Sequence, residues 1–165
     1  MGRDDQEAIR IGIADAGRQA TQAESMLYLD MHRKNGELIR KIVAEHGWPG
    51  RSLVGDDGAH AAWLVVQHMD TELDFQRSCL ALMEQAFLVG EVGPQEFAYL
   101  TDRVRSHEGR PQMYGTQGLG VLSPEDEARV NANRAVIGLP PWRIAVERRQ
   151  KDYANGYGGG AAKAP

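Results

Sequence analysis

One cysteine, Cys79, stands in the whole chain, so no intrachain disulfide can brace it and a reducing compartment suits it. Long apolar runs are missing as well. The longest, Ala61 to Val66, falls far short of the roughly 20 residues that a membrane-spanning helix needs. The opening Met-Gly-Arg-Asp-Asp-Gln-Glu is polar, and the expectation is a cytoplasmic protein that does not enter a membrane. Metal-ligand spacings are absent: no His-x-His, no His-x-x-x-His, no His-Glu-x-x-His and no second cysteine. Gly118-Leu-Gly120 lacks the third glycine and the preceding strand of a dinucleotide fingerprint. We expect neither metal nor cofactor. A basic stripe is lacking too, since the net charge of -4 comes from interspersed signs, which argues against a nucleic-acid partner. A small-molecule or peptide ligand fits this surface better, and homo-oligomerisation stays open. Lysine is scarce beside arginine while Ala and Gly abound, the bias of a GC-rich bacterial genome.

What is present is helical periodicity, in a length suited to one domain. Residues 4 to 32 read as one long or two shorter helices, with Ile9, Ile13 and Ala16, then Met26, Leu27 and Leu29, within an N-terminal helical extension over 1–34. Asn35 suits the cap of a next helix through Leu38, Ile39, Ile42 and Val43, which Gly47 and Pro49 end, leaving His46 on its last turn. A loop of Gly50, Ser52 and Gly55 precedes a helix from about Asp57 to Met69. That helix is apolar nearly all round over Trp63 to Val66 and is therefore expected at the centre. Another, about Glu72 to Val89, carries Leu73, Leu80, Met83 and Phe87 on one stripe with Cys79 beside it as a core residue. Pro94 opens a helix through Phe97, Leu100 and Val104; Ser123-Pro124-Glu125-Asp126 opens one to about Ile137; Pro141 restarts the last. No strand pattern and no repeat occur. The fold class is all-α, a compact helical bundle over 35–153 with one irregular polar loop, followed by a flexible Gly- and Ala-rich tail over 154–165.

That loop, Arg110-Pro-Gln-Met-Tyr-Gly-Thr-Gln117, sets polar side chains around Pro111 and Gly115, where no periodic element runs. Together with His46-Gly-Trp-Pro49, Val54-Gly55, Val66-Gln67-His68, Ala98-Tyr-Leu-Thr-Asp-Arg-Val104 and Asn133-Arg-Ala-Val-Ile-Gly-Leu139, it resembles the mostly bacterial domain-of-unknown-function family DUF6624. The resemblance covers roughly residues 35 to 140 and leaves the first 30 outside. It implies a shared site at His46, Gln67, His68, Asp102, Arg103, Gln112, Tyr114 and Gln117, without assigning a reaction.

Histidine exchanges protons near neutral pH. His46 and His68 are thus the candidate acid and base, with Asp102 to set a tautomer; the bland alternatives are a helix-terminal imidazole and a buried, satisfied one. Arg103 and Arg110 can hold an anionic group or simply pair with surface carboxylates. Gln67, Gln112, Tyr114 and Gln117 can bind a polarised oxygen, or stitch an irregular loop to helix ends. The leading expectation is a cofactor-independent enzyme acting by histidine acid/base chemistry on an amide, carbonyl or peptide-like substrate. A noncatalytic binding module is the alternative, and a metal-dependent hydrolase the third.

Overall fold

The computed structural model describes residues 22–118 and 121–154, and all its regular structure is helical. The readings that concern the first twenty-one residues and the tail from 155 lie outside the described residues. Helix α1, Gln22–His46, runs unbroken through Asn35, so the cap expected there is an interior helical residue. Its early turns leave Met26, Leu27 and Leu29 more than half exposed, and only from Gly36 and the fully buried Ile39 does it dock. Gly47, at φ 72°, ends it, its amide donating to the Val43 carbonyl at 3.0 Å.

The chain reverses through Trp48 and Pro49 into α2, Arg51–Gln67, which begins earlier than periodicity implies. The glycine expected to lie in a loop, Gly55, instead kinks the helix at φ 73° and ψ 172°, a conformation that side chains with Cβ rarely adopt. Beyond the kink Ala61, Ala62, Trp63, Val65 and Val66 are buried, which puts this helix at the centre as its composition demands. Gln76 caps its far end, donating from Nε2 to the Val66 carbonyl at 3.0 Å.

Helix α3, Leu73–Leu88, buries Cys79 and Met83 completely and pairs antiparallel with α4, Pro94–His107. Phe87 stacks on Phe97 at one end of that pair, while Arg77 binds Glu108 at the other. The result matters for the site. Crossing over α3 returns α4 parallel to α2, so residues 36 positions apart face one another: His60 and Glu96, Trp63 and Tyr99, Gln67 and Arg103.

The closing helices are α5, Pro124–Val136, and α6, Trp142–Ala154. Ser123 Oγ accepts the Asp126 amide at 3.1 Å, and Glu125, Asp126 and Glu127 favour the positive end of α5, as its sequence suggests. Glu127 clasps Arg143 through two bonds of 2.6 Å, and the Trp142 amide donates to Asn131, so the two helices form a hairpin against the polar loop.

Candidate functional site

The polar loop is held from both sides by its backbone. Asp102, fully buried on α4, accepts the amides of Met113 at 2.7 Å, Tyr114 at 3.1 Å and Thr116 at 2.8 Å, and the Thr116 hydroxyl at 2.9 Å. The loop carbonyls turn the other way, toward α5 and α6. Arg129 donates to Gln112, Asn133 to Met113, Arg134 to Tyr114, the Trp142 indole to Gly115 and Arg149 to Thr116, at 2.6–3.2 Å. Such a segment lacks the regular ladder of a helix or sheet, and these side chains replace it. Gly115 sits at φ 63°, and a Cβ there would lie 2.6 Å from Trp142 Cδ1, so glycine is needed both for conformation and for space.

The side chains of the loop are engaged in the same task. Gln112 donates from Nε2 to the Gln117 carbonyl at 3.0 Å and accepts the Gln117 amide at 2.9 Å. Gln117 Nε2 donates to the Tyr99 carbonyl at 3.2 Å and to Thr116 Oγ1 at 3.0 Å. Tyr114 is buried against Phe97, and burial, reinforced by the Asp102 charge, raises its phenol pKa. Arg110 is exposed and pairs with Glu108. Asp102 therefore meets loop amides where an imidazole was expected, because both of its oxygens are taken by a segment that has no other way to satisfy its donors.

The two histidines named for proton exchange are not brought together. Gly36 of α1 packs against Met69, next to His68, and from Gly36 to His46 the helix rises roughly 15 Å. His46 is exposed at the far end, 3.7 Å from Glu45. His68 sits at the C-terminus of α2, exposed along part of its surface. Desolvation on its crowded side, and then the Arg103 charge, lower its pKa from 6.5, against the pull of Asp70. Arg103 binds Asp70 at 3.1 Å, and with the Gln67 amide oxygen turned toward it, donates from Nε at 3.0 Å and from Nη2 at 3.3 Å. Gln67, Arg103 and the neighbourhood of His68 thus form one cluster, separate from His46.

What sequence reasoning missed lies farther up the same pair of parallel helices. His60 Nδ1 is 3.4 Å from Glu96 Oε1, with the imidazole 38% and the carboxylate 24% exposed. Glu96 is on the first turn of α4 and folds back over Gly93, where a Cβ would crowd its carboxylate and the Arg51 guanidinium. The hydrogen bond with His60 keeps the Glu96 carboxyl below the ordinary range, although burial opposes this. The His60 ring leans on Trp63, with centroids 5.1 Å apart, and Trp63 meets the edge of Tyr99 at 6.1 Å. The Trp63 indole nitrogen is buried without an acceptor among the described residues, a deficit that costs about 1–3 kcal/mol if left so. No sequence spacing signals the dyad, since its members meet only through the register of two helices separated by a third.

Among the described residues, no three His, Cys, Asp or Glu side chains gather as metal ligands, and no helix is long and apolar enough to cross a membrane. A family model matches residues 1–157, taking in the loop, the helices that clasp it and the dyad. The chain belongs to DUF6624, a family of unknown function. The match also corrects the expected extent, because the first 30 residues fall inside the DUF6624 region. Comparison with curated proteins and with solved structures gives no match.

Proposed function

We propose that this DUF6624 chain is a small bacterial, cytoplasmic, cofactor-independent enzyme that uses histidine acid/base chemistry on an amide, carbonyl or amino-acid- and peptide-like substrate. His60 is the acid and base in this reading, and Glu96 positions it. The observation that carries it is the contact of His60 Nδ1 with Glu96, both partly exposed, between the parallel helices α2 and α4. A carboxylate at Nδ1 keeps the proton on that nitrogen, which leaves the Nε2 lone pair to take a proton from the reacting group and return it later. Glu96 then stabilises the transient imidazolium. Among the described residues, neither sequence candidate shows a hydrogen-bonded carboxylate: His46 lies 3.7 Å from the exposed Glu45, His68 feels Asp70 only as a nearby charge, and Asp102 is engaged by the loop.

A noncatalytic peptide- or protein-binding module is the second reading, and the exposed Met26, Leu27 and Leu29 on α1 favour it. Turnover separates the two. The purified chain is assayed against N-acetyl amino acids, dipeptides, lactams and simple esters, alongside His60→Gln. We expect wild-type turnover on at least one class and a loss of about 100-fold or more in His60→Gln, in the range of a lost general base. The melting temperature should stay within about 3 °C, since the position is partly exposed. Equal turnover in the variant, or none by the wild type, removes the catalytic reading.

A further inference from the structure

We propose that the Trp63 indole N–H, beside the His60–Glu96 pair, is an oxygen-binding donor, so the ligand of this site presents a carbonyl or carboxylate oxygen to it. The proposal deepens the acid/base reading by naming the group that the substrate brings, and it rests on that reading only in sharing its place beside His60.

Trp63 is 3% exposed, and its Nε1 has no acceptor among the described residues. Buried indole N–H groups ordinarily find one. The Trp142 indole shows the usual outcome, donating to the Gly115 carbonyl at 3.2 Å. Around Trp63 the polar groups are engaged elsewhere: Glu96 with His60, the Gln67 amide with Arg103, and the Tyr99 carbonyl with Gln117. The two rings packed on the indole, His60 and Tyr99, both keep part of their surface in solvent. Trp63 therefore lies directly beneath two partly exposed rings, and in this proposal a small ligand reaches it when one of them swings aside.

Position also matters. His60 and Trp63 are three residues apart on α2 and share a face, with ring centroids 5.1 Å apart, so one small ligand can meet both rings. A neutral N–H donor in a low-dielectric floor stabilises an oxygen on which negative charge grows as His60 moves a proton. It offers nothing to an ammonium group. The substrate class is accordingly an amide, lactam or N-acyl amino acid.

The test follows the three indole N–H resonances of the full-length protein labelled with 15N-tryptophan, assigned through Trp→Phe variants. Acetamide, 2-pyrrolidinone and acetate are titrated in turn to about 0.1 M, enough for ligands of millimolar affinity, with methylammonium as the counter-probe. The expected result is a saturable downfield shift of the Trp63 resonance with at least one oxygen probe, none with methylammonium, and no movement of the Trp142 resonance. In His60→Gln the Trp63 shift should persist. Trp63→Phe, which keeps the aromatic bulk, should weaken 2-pyrrolidinone binding by about tenfold, the loss of one hydrogen bond; should that variant fail to fold, the wild-type titration decides alone. A Trp63 resonance unmoved by all three oxygen probes, or moving in step with Trp142, overturns the proposal. Unchanged turnover in His60→Gln with a persistent Trp63 shift rejects the acid/base reading and keeps the indole subsite. An absent shift with turnover lost in His60→Gln does the reverse.

Discussion

Asp102 shows how a residue's chemistry is settled by what surrounds it. A carboxylate that accepts three backbone amides and a hydroxyl in a buried setting organises the loop, and the same bonds deny it to any histidine. Asp102→Asn keeps the shape but turns an N–H₂ group toward donors, so about 3 kcal/mol or more of stability should be lost, by analogy with breaking other buried charge-assisted bonds. Urea unfolding of the variant checks this, and a loss below about 1 kcal/mol would contradict the structural role. His68 makes a second case, through pH. Its pKa lies below 6.5 because desolvation, followed by Arg103, disfavours the imidazolium. The unfolded chain therefore binds a proton that the folded ring resists, and this contribution to stability is complete above about pH 6.5 and declines as pH falls through that value. The melting temperature of the wild type should drop more steeply between about pH 7.5 and 5.5 than that of His68→Gln. Parallel slopes would show that His68 does not carry the effect.

Elements in this fold take their positions from a few contacts at their ends. The segment 111–117 is irregular, yet its amides meet α4 and its carbonyls meet α5 and α6, so it joins the two halves of the chain as firmly as a helix would. At Gly115 the loop lies closest against Trp142 of α6, with Val130 of α5 alongside. Gly115→Ala places a Cβ against the Trp142 ring at a positive φ, and should cost about 2–4 kcal/mol from backbone strain and overpacking together. Thermal unfolding measures the loss, and an unchanged melting temperature would mean that the Trp142 indole can move away freely. Helix α2 follows the same logic in reverse: its kink at Gly55 lets the first turn pair with Glu91, whose Oε2 accepts the Ser52 amide at 2.8 Å, while the remaining turns stay in the core.

For the molecule as a whole, the buried stretch of α2 and its partners on α3 and α4 form one core, from Ile39 and Trp63 to Leu100 and Val104. The first turns of α1 stand outside it with three large apolar side chains exposed. Hydrogen exchange should therefore be uneven. Amides of residues 61–66 are expected to exchange only through global unfolding, and those of residues 26–30 through local fraying at least about a thousandfold faster. Equal protection would place a partner, such as a second copy of the chain, against α1.

Much of the helical order was legible because it is local. Ser123-Pro124 with its acidic turn, Pro94 at the first turn of α4, and the apolar run from Trp63 to Val66 act within a few residues, and each helix stands where those signals put it. Among the described residues, local signals misled at Asn35, which α1 runs straight through, and at Gly55, which kinks a helix without ending it. The polar residues of 110–117 were recognisable as special and, with the other motifs, carried the family resemblance, but whether they face a ligand or one another is not a local property. Asp102 and Thr116 are 14 positions apart, His60 and Glu96 are 36, and nothing along the chain couples such positions until helices pack. The sequence by itself determined the all-helical class, the Ser123 cap of α5 and the central place of α2, because hydrogen bonds and apolar periodicity are short-range. Only the tertiary structure decided which carboxylate meets an imidazole, because that depends on the parallel register of α2 and α4, set by α3 between them.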